Sequence, residues 1–216
     1  MKLYGYWRSS CSWRVRIGLS LKGLSYEYIP VHLVRDGGEQ HRESYQELNG
    51  LAQVPTLTWE IEGETRVLTQ SMAILEWLDA AYAEPAIVPR DAFRAAQVRE
   101  LAEIVNAGIQ PLQNLALLQK LKAEGIDAKA HGRDVITRGL SVMESMVSQS
   151  DGDFCVGDTP SLADICLVPQ LYNGRRFNVD LEQFPALLAV ESVCESHPAF
   201  AAAHPDRQPD AQLAGT

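Results

Sequence analysis

Period-two alternation of apolar residues is confined to the first part of the chain; helical spacing takes over afterwards. Leu3-Tyr4-Gly5-Tyr6 predicts a strand over residues 2–6. Val15, Ile17, Leu19 and Leu21 predict a helix from Ser10 or Cys11 to Leu21, stopped at Lys22-Gly23, where Gly suits the C-terminal cap. Tyr26-Glu27-Tyr28-Ile29-Pro30-Val31 alternates again and is rich in aromatic and β-branched residues, so a second strand follows. A strand, a helix and a strand imply a parallel βαβ unit. A short helix is expected over Gln40 to Leu48, broken by Asn49-Gly50. Leu57 to Ile61 and Arg66 to Thr69 read as a hairpin through Glu62-Gly63-Glu64. Ser71 then suits the N-cap of a helix whose apolar face is Ile74, Leu75, Trp77 and Leu78.

Strand signals end at about Tyr82. Residues 83–90 hold two prolines and read as a linker. Helical spacing runs from Phe93 to Lys120, with an interruption expected at Pro111, and again from Asp127 to Ser148. Pro160-Ser161-Leu162-Ala163-Asp164 has the pattern of a capping box, in which Ser161 and Asp164 satisfy each other's backbone N–H groups. The run that follows, Ile165-Cys166-Leu167-Val168-Pro169, is apolar all round and predicts a central, buried helix. Phe184 to Cys194 predicts another helix, and the tail from Pro205 to Gly215-Thr216 reads as irregular. The fold class is therefore α/β plus all-α: a first domain over 1–82, a linker over 83–90 and a helical domain over 91–216.

Composition narrows the function. Among 216 residues, 46% are hydrophobic and 22% charged, as in a globular protein, and the formal net charge is −9. No basic block is present, which argues against nucleic acid as a partner. The N-terminus enters a strand directly, with no apolar leader, and no stretch approaches the ~20 apolar residues that a membrane span needs. Cys11, Cys155, Cys166 and Cys194 form no CxxC pair, and the five histidines are scattered. Reduced thiols, a cytoplasmic location and no metal are expected.

The chemistry concentrates where the first strand turns into the first helix. Ser9, Ser10 and Cys11 stand there between Arg8 and Arg14. A helix start offers unpaired N–H groups and partial positive charge, so an anion such as a thiolate is stabilised there. Capping is the commonest use of Ser at such a place. Three small polar residues exceed what one cap requires. Pro55, at the head of a strand, cannot donate to a ladder and marks an edge or a special turn.

Ser9 to Ile17, together with Gln53-Val54-Pro55-Thr56-Leu57 and Gln70-Ser71, resembles the zeta class of glutathione transferases, whose best-known members isomerise maleylacetoacetate. The likeness continues through Gly108 to Leu115, Val156-Gly157-Asp158, Ser161 to Asp164, Leu167 to Gln170, Arg176 to Leu181 and His204 to Asp210, nearly the whole chain. It implies a thioredoxin-like N-terminal domain, a helical C-terminal domain, a homodimer and bound glutathione. It further implies that Pro55 is cis and that Val54 pairs with the cysteinyl part of glutathione. Gln70 and Ser71 would hold the γ-glutamyl end and Gln40 the glycyl end, while Gln110, Asn114, Leu115 and Ala116 would contribute from the helical domain. Two departures stand out: Asn49-Gly50 replaces the usual Asn-Pro, which predicts a looser loop, and Pro160 replaces an apolar β-branched residue before Ser161, which predicts a weaker staple.

The reaction so implied is glutathione-dependent cis–trans isomerisation of a maleyl dicarboxylate, maleylacetoacetate to fumarylacetoacetate in tyrosine and phenylalanine catabolism, with glutathione transferase side activity. Ser9 would activate the thiolate, with Ser10 second and Cys11 as a neighbour. Arg8 and Arg176 would bind the two acidic ends of the substrate, ahead of Arg175. The same site could serve maleylpyruvate or α-halo acids. A disulfide-exchange enzyme would instead use Cys11 as nucleophile, and a non-catalytic protein would hold glutathione without turnover.

Overall fold

The computed structural model describes residues 1–211; the expectation of an irregular end at Gly215-Thr216 lies outside them. The described residues form two units, 1–85 with those from 198 on, and 86–197.

In the first unit, β1 (Lys2–Gly5), β2 (Glu27–Pro30), β3 (Thr56–Ile61) and β4 (Glu64–Thr69) form one sheet in the order β2-β1-β3-β4. β1 and β2 are parallel, while β3 is antiparallel to both β1 and β4. This is the thioredoxin-like arrangement implied by the sequence. α1 (Ser10–Leu21) packs on α3 (Ser71–Ala81). The approach is close at Gly18, where a Cβ would lie 2.3 Å from Leu75 Cδ2. Any larger residue there would have to push the helices apart. Lys22, just past α1, buries its ammonium completely. It donates to Asp79 Oδ1 at 2.7 Å and to the carbonyls of Tyr82 and Pro85 at 2.6 Å each.

Between β2 and β3 the predicted single helix is broken into short turns, Arg35–Gly37 and Glu39–His41, and a brief α2 (Glu43–Gln46). The loop expected to be loose is anchored. Buried Asn49 donates to the Gln53 carbonyl at 2.8 Å and accepts the Leu51 N–H at 3.1 Å. The Asn49 side chain thus restrains the loop although Gly50 brings no ring.

The second unit is helical: α4 (Ala92–Glu103), α5 (Leu115–Ala123), α6 (Ala128–Val147), α7 (Leu162–Arg176) and α8 (Pro185–Ser196). The interruption expected at Pro111 begins earlier. α4 loosens into a wide π-type turn over Ile104–Ile109 and then tightens into a 3₁₀ turn over Gln110–Gln113. Pro111 has no N–H for an α-helical bond, and the chain absorbs that loss over the preceding turn. α7 is central, with every residue from Leu162 to Leu171 buried. Its capping box forms despite Pro160: Asp164 Oδ2 accepts the Ser161 N–H and hydroxyl at 2.7 Å each, and Ser161 Oγ accepts the Ala163 N–H at 3.3 Å. Asp164 Oδ1 also takes the Cys155 N–H at 2.8 Å, so the carboxylate secures the incoming loop as well as the helix.

The segment from Pro198 differs from the sequence reading, which set it in the second domain. α9 (Pro198–Ala203) packs on α1, and the described residues after it, up to Ala211, stay with the first unit.

Candidate functional site

Ser9 is the N-cap of α1. Its Oγ accepts the Ser12 N–H at 3.2 Å, which leaves the hydroxyl proton free to donate outward. The cap and the activating hydroxyl are therefore compatible roles for one side chain. Ser10 is buried within the first turn, whereas Cys11 is half-buried with a free thiol. Ser12 is fully buried, and its Oγ accepts the Tyr6 N–H at 3.3 Å, tying the helix start to the end of β1. The turn is closed by the Ser9 N–H donating to the Tyr6 carbonyl at 3.0 Å. Arg8 is half-buried, its guanidinium carbon 5.3 Å from the centre of the Trp7 indole.

The second helix start is arranged differently. Gln70, not Ser71, occupies the N-cap position of α3, with φ +69°, and its side chain makes no capping bond. The first N–H groups of a helix have no partner within the helix itself, and such a terminus favours an anion. Ser71 is the first helical residue and is buried; Arg14 Nη1 donates to its Oγ at 3.4 Å. The Val54-Pro55 peptide is cis, as the resemblance implied, and so is Glu84-Pro85. The carbonyl just before Val54 is held twice: Gln53 O accepts from Tyr45 Oη at 2.6 Å and from Asn49 Nδ2 at 2.8 Å. Tyr45 and Asn49 both also reach Thr56 Oγ1. Sequence reasoning missed this triad, although an aromatic residue and an amide just upstream of a Val-Pro pair were available as signals.

Gln40 faces its own loop. It is buried, and its amide donates to the Leu33 carbonyl at 3.2 Å, while Oε1 is buried without a protein partner. A carbonyl oxygen accepts but does not donate, so that atom suits an N–H group and not a carboxylate.

In the second unit, Gln110 is half-buried at the start of the 3₁₀ turn. Asn114 caps α5 by accepting the Ala116 N–H at 3.0 Å, so Asn114, Leu115 and Ala116 form a helix start. The neighbouring Gln113 is buried and hydrogen-bonded to Gln170 at 2.6 Å. The two adjacent arginines separate clearly. Arg175 is committed to Glu191, with Nη1 to Oε1 at 2.6 Å and Nη2 to Oε2 at 2.5 Å. That bond raises the Arg175 pKa. Arg176 is exposed and donates to Asn173 Oδ1 at 3.0 Å.

A family model described as the glutathione S-transferase N-terminal domain matches residues 8–81, and another, the glutathione S-transferase C-terminal domain, matches residues 116–198. Probable maleylacetoacetate isomerase 2 of Drosophila melanogaster is 48% identical over 208 residues, which is 96% of this chain and 89% of that protein. Maleylacetoacetate isomerase from Anaeromyxobacter dehalogenans 2CP-1, solved with bound GSH in the active site, is 50% identical with a TM-score of 0.90 and 97% of each chain covered. The same enzyme has been solved with bound dicarboxyethyl glutathione and citrate, at 49% identity, a TM-score of 0.88 and coverage of 97% of this chain and 96% of that one. A maleyl pyruvate isomerase, a bacterial glutathione S-transferase in the zeta class, is 42% identical with a TM-score of 0.91, over 97% of this chain and 99% of that one.

Proposed function

Because the chain belongs to the glutathione S-transferase family, with both halves of its sequence matched, we propose that it is a glutathione-dependent cis–trans isomerase of maleyl dicarboxylates, with maleylacetoacetate as first substrate. The observation that carries this reading is the near-complete similarity to a maleylacetoacetate isomerase that binds GSH in its active site. The dicarboxyethyl glutathione bound by that relative supports a dicarboxylate substrate.

Glutathione is the cofactor, and the residues present fit it. The Gln70 side chain makes no capping bond at the α3 terminus, where the γ-glutamyl carboxylate would bind against the helix start. Gln70 and Ser71 lie at that terminus, and Val54 presents backbone to the cysteinyl part. When bound, glutathione would supply the nucleophilic thiolate that a reversible addition to the cis double bond needs. The Ser9 hydroxyl would donate to that sulfur, its oxygen still accepting the Ser12 N–H. The N–H groups and partial positive charge at the start of α1 favour the anion further. A free thiol has a pKa near ~8.5, so each unit of depression is worth ~1.4 kcal/mol toward a reactive thiolate. Ser10 and Cys11 are assigned beside it.

Arg8 and Arg176 are assigned to the substrate carboxylates, in keeping with the fork geometry of guanidinium and carboxylate. The commitment of Arg175 to Glu191 supports the choice of Arg176 over its neighbour. Gln110 and the Asn114 to Ala116 helix start are assigned to the ligand from the helical unit. We further assign the enzyme to the cytoplasm, as a homodimer; the four free cysteines accord with a reducing compartment.

Maleylpyruvate is the second reading, favoured by the similarity to a maleyl pyruvate isomerase at 42% identity. Purified protein assayed with each maleyl compound, with and without glutathione, decides between them. Isomerisation of maleylacetoacetate with the higher kcat/KM, lost without glutathione, is the expected result. Turnover without glutathione rejects the mechanism, and preference for maleylpyruvate selects the second reading.

A further inference from the structure

The C-terminal segment past α9 reaches the loop that carries Arg8. Asp210 is 5% exposed, and its Oδ2 accepts the Trp7 N–H at 2.9 Å and the Tyr28 hydroxyl at 3.3 Å. Arg16 is fully buried on α1. It donates through Nη2 to the Trp7 carbonyl at 2.9 Å and through Nε to the Ala203 carbonyl at 3.1 Å. Both backbone polar groups of Trp7 are therefore held by charged side chains. Peptide units are planar. The Trp7 carbonyl fixes the unit that enters Arg8, and the bond from the Ser9 N–H to the Tyr6 carbonyl fixes the unit that leaves it. The Trp7 indole meanwhile supports the Arg8 guanidinium, 5.3 Å from its centre.

Such a clamp is a costly way merely to dock a tail. Asp210 Oδ1 and Arg16 Nη1 are each buried without a hydrogen-bond partner. Burying charged groups with unused valences is unfavourable, and apolar side chains would attach the segment more cheaply. The arrangement yields orientation instead: a guanidinium held at a defined place one residue before Ser9.

We propose that Asp210 is a positioning residue for the isomerase site: with Arg16 it locks the Trp7 backbone and thereby aims Arg8 at a substrate carboxylate. The proposal rests on the assignment of Arg8 to the substrate. Asp210 itself touches no reacting atom. The effect should fall on substrate affinity, because α3 and Val54, the groups assigned to glutathione, take no part in the clamp.

The test is steady-state kinetics of the full chain with maleylacetoacetate and glutathione varied separately, on Arg8→Ala, Asp210→Ala, Asp210→Asn and the Arg8→Ala double variants with each. Asp210→Ala should raise the maleylacetoacetate KM about tenfold and leave the glutathione KM within about twofold. Asp210→Asn keeps one acceptor for the Trp7 N–H and should fall between wild type and alanine. If aspartate acts through Arg8, neither double variant will be worse than Arg8→Ala alone. Wild-type substrate KM in the Asp210 variants, equal loss of both affinities, or full additivity with Arg8→Ala overturns the proposal. Should Asp210→Ala fail to fold, Asp210→Asn and its double variant decide by the same criteria. An unchanged substrate KM in Arg8→Ala would instead reject the assignment of Arg8 on which the clamp depends.

Discussion

The Tyr45 hydroxyl donates to the Gln53 carbonyl at 2.6 Å, one residue before Val54. Burial raises the Tyr45 pKa, so the group stays a donor throughout the neutral range. Tyr45→Phe removes this bond but leaves Asn49 on the same carbonyl. The expected outcome is a loss of about 1 kcal/mol in unfolding free energy, the usual net worth of one hydrogen bond, with weaker glutathione binding. Denaturant melts and calorimetric titration with glutathione measure the two parts. Unchanged glutathione affinity would show that the carbonyl does not position Val54.

Ser9 carries two loads, and substitution can separate them. Ser9→Ala should cost about 1 kcal/mol of stability for the lost N-cap. It should also lower kcat by about 10²-fold and shift the pH–rate profile to higher pH, since a less stabilised thiolate needs more base. Ser9→Thr keeps both oxygen and proton and should recover most of the activity. Cys11→Ala should retain activity; its abolition would point to disulfide chemistry at that thiol.

The adjacent arginines should give opposite phenotypes. Arg176→Ala should raise the substrate KM strongly and leave glutathione binding nearly unchanged, whereas equal loss of both affinities would reject the assignment. Arg175→Ala should leave KM alone and destabilise the fold by about 2 kcal/mol, because Glu191 is buried and would lose its partner. Thermal melts alongside kinetics distinguish the two.

Asp164 predicts a pH dependence of stability. Complete burial raises its pKa, against the opposing donations from Cys155 and Ser161. A carboxyl with a raised native pKa binds its proton more tightly folded than unfolded. Its contribution is fully present below the unfolded value, about 4, and declines as pH rises through the native one. Asp164→Ala should cost about 3 kcal/mol at neutral pH, because the Cys155 and Ser161 N–H groups lose their acceptor. The cost should be larger near pH 4. Urea melts at the two pH values read it directly, and a larger cost at neutral pH would reverse the sign.

Local signals carried much of this structure, and the exceptions have physical causes. Ser161 and Asp164 were legible because a capping box is written within four residues. The α1 start at Ser10 was legible because small hydroxyl residues that suit an N-cap stand directly before the apolar helical run. Ser71 looked like a cap, yet Gln70 takes that position at positive φ, a conformation that side-chain identity alone does not announce. Arg175 and Arg176 are indistinguishable in sequence, since what separates them is Glu191 on another helix. Asp210 lies 203 residues from the Trp7 N–H that it accepts, and no periodicity links positions so far apart.

At Lys22 the ammonium has as many protein acceptors as protons, all within 2.7 Å. All three converge on one nitrogen. A guanidinium spreads its protons across a flat fork and cannot converge on that point. Lysine-to-arginine exchange, usually a mild change, should therefore be poorly tolerated here. Acetylation at the same nitrogen would need the end of α3 to come away first.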